Sequence, residues 1–334
     1  MLTKDRIKTK IIRSTSKNPW YNLALEEYLL GKIQKDEVIL YLWQNENTVV
    51  IGNNQNPWKE VKCKELELEN GKLARRLSGG GAVFHDLGNL NFTFVMDKNL
   101  YDLQKQLEVI LKSLKSLGIN AEFSGRNDLV VDGKKFSGNA FYFGEVGAYH
   151  HGTLLIDVDM KKLQKYLNVS AQKIASKGID SVKSRVINLH DINENVTIES
   201  IIKCLKETFT KMYGGENKEV VVDETSYNIG EIYDRYSSWE WRYGQTPSFD
   251  IEFEKRFTWG EIHIGLGLEN AKISKSVIYS DAMNSEFVKV ISNAIEGLPF
   301  DMEHIINKIN QLEATKEEEI MKKDIEKWLS NIDI

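Results

Sequence analysis

Apolar and polar positions alternate along the chain in a way that predicts strands and helices in turn over its first two-thirds. Ile7–Arg13, Val38–Trp43 and Thr48–Ile51 are short apolar runs that predict strands, the last two separated by the polar turn Gln44–Asn47. Pro19 to Leu30 predicts a helix: Asn18 can cap it, Pro19 sits in its first turn, and Leu23, Ala24 and Tyr28 keep helical spacing. Pro57 opens a second predicted helix that runs to about Glu69. Leu73–Arg76 and Ala82–Phe84 predict strands on either side of a glycine-rich loop, and Leu90–Val95 predicts a third. Leu103–Leu117 has amphipathic helical spacing and stops at Gly118. Leu129–Val131, Lys135–Phe143 and Thr153–Val158 predict further strands, and Met160–Leu167 and Ile198–Tyr213 helices.

The pattern changes near Gly244–Asp250, where Pro247 falls. Beyond it Ile251–Thr258, Glu261–Leu268 and Ile273–Tyr279 predict an antiparallel meander, followed by helices at about Glu286–Glu296, Asp301–Gln311 and Lys316–Leu329. Strands followed by helices define a small α+β unit. A length of 334 residues also favours two domains over one. We therefore expect a larger domain over residues 1–246 and a smaller one over 247–334.

Composition narrows the function. The charges nearly balance, 44 basic against 49 acidic, so no basic field is available to hold nucleic acid. Cys63 and Cys204 are the only two cysteines and lie far apart, which excludes a disulfide framework and a cysteine-rich zinc site. The first residues carry no apolar signal core, and no apolar run approaches about 18 residues. The expected setting is reducing and cytoplasmic, away from any membrane.

The most informative segment runs Arg75-Arg76-Leu77-Ser78-Gly79-Gly80-Gly81-Ala82-Val83-Phe84-His85-Asp86. Three glycines after a strand let backbone amides approach a ligand closely, and amides in such a turn form an anion-binding nest. Three glycines alone fit a tight β-hairpin or bulge with purely structural glycines as well, and Arg75, Arg76 and Ser78 shift the reading toward phosphate. The P-loop pattern fails, because Gly81 is followed by Ala82 and Val83, and the dinucleotide pattern fails, because Phe84 stands where its third glycine belongs. In a second segment, Asp132-Gly133 predicts a hairpin turn that places Lys135 at the start of the return strand, with Lys134 on the opposite face. Taken alone, a lysine is usually a solvated surface charge. His150 and His151 sit side by side on a strand and so point to opposite faces, which argues against joint chelation and for one buried, hydrogen-bonded histidine. Lys177–Leu189 is basic and polar, either a loop near the anion or an ordinary solvated one.

Together with Pro19-Trp20-Tyr21-Asn22-Leu23-Ala24, Leu42-Trp43-Gln44-Asn45, Gly125-Arg126-Asn127-Asp128-Leu129, His150-His151-Gly152-Thr153, Lys177-Gly178-Ile179 and Arg256-Phe257-Thr258-Trp259-Gly260, these segments resemble the bacterial lipoate–protein ligases of the biotin/lipoate ligase superfamily. The resemblance covers essentially the whole chain. It implies an α+β fold: a class II synthetase-like catalytic domain with mixed sheets flanked by helices, and a small α+β C-terminal accessory domain. It implies two half-reactions, in which ATP and lipoate give lipoyl-adenylate and pyrophosphate, and a lysine of a lipoyl domain or of the glycine-cleavage H protein then takes the lipoyl group. Lys135 is implied as the catalytic residue, meeting both the lipoyl carboxyl and the α-phosphate. Arg76, Ser78, Gly80, Gly81, Ala82, Val83, Phe84 and Asp128 are implied for the adenylate, and Trp43, Arg76, Gly138 and His151 for lipoate. Mg²⁺ is expected on the β,γ-phosphates, with Asp128 as its candidate carboxylate, and the expected assembly is a monomer. Asn139 and Phe141 stand where relatives more often carry Ser and Tyr. The rival readings are an octanoyl or lipoyl transferase, which needs a cysteine at the lysine groove, a biotin ligase, and a non-catalytic acyl-adenylate-binding protein.

Overall fold

The computed structural model describes residues 7–125, 127–168, 186–216, 218–244 and 249–332. Most of Lys177–Leu189, together with Pro247 and the expected boundary at 246, lies outside them. Contacts within the chain divide it into two compact units. The first comprises Met1–Val50, Trp58–Arg75 and Val83–Arg242; the second comprises Ile51–Pro57, Arg76–Ala82 and Tyr243–Ile334.

In the first unit the order is β1 (Lys8–Ser14), α1 (Pro19–Lys32), β2 (Glu37–Trp43), β3 (Thr48–Ile51), β4 (Lys72–Arg75), β5 (Val83–His85), β6 (Asn89–Asp97), α2 (Leu103–Ser116), β7 (Glu122–Ser124), β8 (Asp128–Val131), β9 (Lys134–Phe143), β10 (Gly147–Leu155), α3 (Met160–Tyr166), α4 (Ile198–Tyr213), β11 (Glu219–Val222) and α5 (Gly230–Ser237). Eight strands form one mixed sheet in the order β11-β1-β2-β6-β10-β9-β8-β7, and β4-β3-β5 form a second. β1 runs parallel to both its neighbours, while β2 to β6 and β6 to β10 pair antiparallel.

Every residue of β2 is buried, because both faces of the sheet are covered. Strand alternation splits it cleanly. Val38, Leu40 and Leu42 join Phe92, Phe94 and the apolar sides of α2 and α4 in the main core. Tyr41 and Trp43 point the other way and stack on each other at 5.9 Å. The α1 start follows its sequence signals, since the Asn18 side chain accepts from the Trp20 N–H and Pro19 occupies the first turn.

Three expectations need correction. The helix expected from Pro57 to about Glu69 is two short helices, Pro57–Glu60 and Cys63–Leu68. Between them Val61 leaves the helical path to bridge Leu167, and the Lys62 N–H donates to the Tyr166 carbonyl. The strand expected at Thr153–Val158 begins earlier, at Gly147, and so carries both histidines through the centre of the sheet. Strand β11 was not expected at all, and its Val220 and Val221 are exposed.

In the second unit β12 (Ile251–Arg256), β13 (Glu261–Glu269) and β14 (Lys272–Ser280) form the expected antiparallel meander. Helices α6 (Ser285–Ile295), α7 (Met302–Asn310) and α8 (Lys316–Leu329) close a core of Ile262, Ile264, Ile291, Ile305, Ile325 and their neighbours. A capping box between Thr315 and Glu318 fixes the start of α8.

Candidate active site

The adjacent arginines take different roles. Arg75 is the last residue of β4, and its guanidinium donates to the carbonyls of Trp241 and Arg242, while the Trp241 indole donates back to the Arg75 carbonyl. These bonds tie the end of β4 to the Trp239–Arg242 helix, a structural clamp that the sequence reading did not include. Arg76 turns into the glycine loop. Its Nε donates to Ser78 Oγ at 3.0 Å, and its terminal nitrogen donates to the carbonyls of Gly79 at 2.6 Å and Gly81 at 2.9 Å. A trans peptide sets its N–H opposite its C=O. By drawing the Gly79 and Gly81 carbonyls inward, Arg76 turns the amides of Gly80 and Ala82 outward. The Gly80 amide donates to the Ala282 carbonyl, and the Ala82 amide points away from the Arg76 guanidinium.

Packing explains the glycines. Gly80 has φ +89°, a region that favours glycine. A Cβ on Gly79 would overlap the Ala282 carbonyl oxygen, whereas a Cβ on Gly81 meets nothing within 4 Å. Ser78 is fully buried as a partner of Arg76. Phe84, in β5 of the first unit, is buried with its ring against Tyr166, and Val83 beside it is half-buried.

The lysine hairpin lies wholly within the first unit. Asp132 and Gly133 both have positive φ, as the two-residue turn requires. Pairing shifts at Leu129/Val130, so that Leu129 faces Ser137 but Val130 faces Lys135, and Phe136 is left as a bulge. A bulge re-aims neighbouring side chains. Lys134 is exposed, while the half-buried Lys135 places Nζ 2.7 Å from an oxygen of Asp128. The same ammonium passes 3.1 Å from where a Gly138 side chain would begin, so Gly138 makes room for Lys135. The Lys135 carbonyl accepts from the Ile187 N–H.

Behind the hairpin both histidines are buried and both are hydrogen-bonded, one more than expected. His151 Nδ1 donates to Glu26 Oε1 at 2.9 Å, and the same oxygen accepts from Thr93 Oγ1 at 2.7 Å. Thr93 Oγ1 in turn accepts from the Trp43 indole at 3.0 Å. Trp43 and His151, neighbours of no kind in sequence, are thus joined through one buried carboxylate. Glu26 was missed from the sequence, although its place three residues after Leu23 on the apolar face of α1 was a readable signal.

His150 Nε2 lies 2.9 Å from Asn139 Oδ1, and its ring sits among Phe92, Phe94 and Phe141. Complete burial, aided by the neighbouring His151, pushes its pKa down from the ordinary 6.5 to about 3. The unfolded chain therefore binds a proton that the folded chain refuses. The stability this neutral ring contributes is complete above about pH 6.5 and is lost progressively as pH falls toward 3, by up to about 1.4 kcal/mol per pH unit. Urea midpoints taken from pH 7.5 to 5 should fall more steeply for the wild type than for His150→Gln; parallel slopes would refute this.

Among the described residues no group of three or more His, Cys, Asp or Glu side chains could hold a metal ion. Cys63 is buried at the start of a helix outside the hairpin segment, and burial pushes its thiol up to about 11, which disfavours the thiolate an acyl-thioester route needs. Among the described residues no helix is long and apolar enough to cross a membrane.

Within the first unit the bulged lysine hairpin and the buried Trp43–Thr93–Glu26–His151 chain lie on the large mixed sheet, and comparison with known proteins gives the class, a ligase, and its family. Residues 18–210 match the lipoyl protein ligase A/B catalytic domain, and residues 246–329 match the bacterial lipoate protein ligase C-terminus. A lipoate-protein ligase A from Psychrobacter cryohalolentis is 40% identical over 97% of this chain and 98% of its own. The P. falciparum LipL1 structure in complex with lipoate superposes with a TM-score of 0.84 at 30% identity, covering 96% of this chain and 99% of that one. A bipartite ligase from Thermoplasma acidophilum, described with its E2 lipoyl domain, gives 0.64 at 28% identity over 74% of this chain and 100% of its own. A lipoate-protein ligase A bound with ATP gives 0.63 at 27% identity over 72% and 100%. The chain belongs to the lipoate-protein ligase family.

Proposed function

We propose that this protein activates lipoate with ATP and transfers the lipoyl group to a lysine of a lipoyl domain or of the glycine-cleavage H protein. The observation that carries the reading is the Lys135 ammonium, aimed by the Phe136 bulge and lodged over Gly138, in a chain 40% identical along nearly its whole length to a ligase of this kind. A lipoate carboxylate oxygen attacks the α-phosphorus of ATP, the α–β bridge breaks, and pyrophosphate leaves. Lys135 screens the two anions as they meet and then the charge on the mixed anhydride. The acceptor lysine, losing a proton, attacks the acyl carbon, and AMP leaves. The outward amide of Ala82 and the guanidinium of Arg76 are the phosphate contacts we assign, with Ser78, Gly80, Gly81, Val83 and Phe84 shaping the nucleotide site.

The donor set fits a Mg²⁺ carried chiefly on the triphosphate, which needs only one or two carboxylates from the chain. Asp128 is the carboxylate we assign to it or to the ribose. When bound, the metal neutralises the leaving pyrophosphate. We assign residues 1–246 to the catalytic domain and 247–334 to an accessory domain, and expect a cytoplasmic monomer. Pyrophosphate release from ATP, Mg²⁺ and lipoate, followed by lipoylation of an added lipoyl domain, tests the reading. Release with biotin instead of lipoate, or none with either, would overturn it.

Trp43, with Gly138 and His151, forms the lipoate slot in this reading. Trp43 is 2% exposed, so Trp43→Val empties buried volume next to Thr93. Each lost buried CH₂ contact weakens binding by about 0.8 kcal/mol. The KM for lipoate should rise, and bulkier ring-bearing acids should gain relative to it. An unchanged preference ratio in a folded variant would mean that Trp43 only packs the core.

A further inference from the structure

One side chain of the hairpin has a hydrogen-bonding pattern that core packing alone does not require. Asn139 Nδ2 donates to the Asn127 carbonyl at 3.0 Å, and the Asn139 backbone N–H donates to that same oxygen at 2.9 Å. Asn127 Nδ2 returns a bond to the Asn139 carbonyl at 3.1 Å. Since Nδ2 donates to Asn127, Oδ1 must accept, and the group facing it is His150 Nε2. This fixes His150 as the Nε2–H tautomer. Its Nδ1 has no hydrogen-bond partner among the described residues, which leaves Asn139 as the polar anchor of that ring. Gly152 supplies the space, because a Cβ there would lie 2.8 Å from Asn139 Oδ1.

The ladder between β8 and β9 has its outermost pair at Asp128 and Gly138. Asn139 extends that ladder by one rung onto Asn127, the residue immediately before Asp128. Asp128 in turn holds Lys135 Nζ. The chain of contacts therefore runs from a ring locked in an aromatic cage, through one amide, to the carboxylate that aims the ammonium.

We infer that Asn139 is a positioning residue for acyl activation, transmitting the fixed orientation of His150 to the Asp128–Lys135 pair. The inference rests on the assignment of Lys135 to that step. Since Asn139 acts here through Asp128 and Lys135, its effect belongs in turnover and not in substrate capture.

A double-mutant cycle tests it, with lipoate-dependent pyrophosphate release as the readout and thermal melting as the check on folding. Asn139→Ala should lower kcat by about 10- to 100-fold, the scale of an ångström-level misplacement, with the KM for ATP held within about twofold. Asp128→Asn should also lower kcat. Adding Asn139→Ala to Asp128→Asn should then cost little more, because the link being cut is already broken. Asn139→Ser keeps a short polar side chain and should fall between wild type and Asn139→Ala; it carries the same cycle should the alanine variant not fold. Additive losses, or a rise in KM alone, would overturn the positioning role while leaving Lys135 in place. A fully active Lys135→Ala would overturn the assignment of Lys135 and this inference with it.

Discussion

Lys135→Ala should lower lipoyl-adenylate formation by about 10²–10³-fold, the usual cost of removing one preorganised charge contact. Lys134→Ala, one residue away and exposed, should stay within about twofold, as surface substitutions do. The contrast comes from the bulge at Phe136 and from the gap above Gly138 that receives only Lys135. Lys135→Arg should also be poor. A planar fork is larger than an ammonium, and the space over Gly138 is already filled to 3.1 Å. Rates of pyrophosphate release for the three variants, at matched folded fraction, decide the matter. Equal losses at 134 and 135 would remove Lys135 from its role.

The second large effect separates two neighbouring glycines. Gly81→Val should fold normally, since its Cβ enters open space, yet should lose ATP-dependent activation by about 10²-fold or more through obstruction of the nucleotide. Gly79→Val should instead lose stability, because its Cβ runs into backbone at Ala282 and Met283 that cannot rotate away. Overpacking of this kind typically costs about 1–3 kcal/mol. Gly80→Val adds backbone strain at φ +89° and should fail in both assays. Denaturant melts and nucleotide turnover, measured on each variant, give the pattern. A folded Gly81→Val with normal turnover would mean that the loop does not cradle the nucleotide.

Periodicity located most elements well where a buried face left no choice. The strand Thr48–Ile51 and the helix Lys316–Leu329 begin and end where the apolar pattern places them. It failed where a single long-range contact decides the path. Nothing local in Pro57–Glu69 announces that Val61 will bridge Leu167, and nothing in the short run Glu219–Val222 announces a parallel partner in β1. The two arginines read alike in sequence, because strand alternation at the end of β4 sends them to different partners that lie far away or in the loop itself. The glycine-rich turn and the lysine hairpin were legible as backbone features because both are local. The Glu26–Thr93–Trp43 and His150–Asn139–Asn127 chains were not, since each joins separate segments whose meeting depends on sheet register.

The glycine loop carries a lesson about inheritance. Arg76–Ala82 is encoded within residues 18–210, the stretch that matches the catalytic-domain family, yet its packing places it with Tyr243–Ile334, where Ala282 receives the Gly80 amide. A gene cut after Arg242 would therefore translate the loop in one polypeptide and the residues that shape it in another. Such fragments could regain a formed loop only by reassembly, at a cost that depends on their concentration. An intact chain supplies the same partner at a fixed, high effective concentration, and duplications or fusions of either part alone would not carry the loop's shape with them.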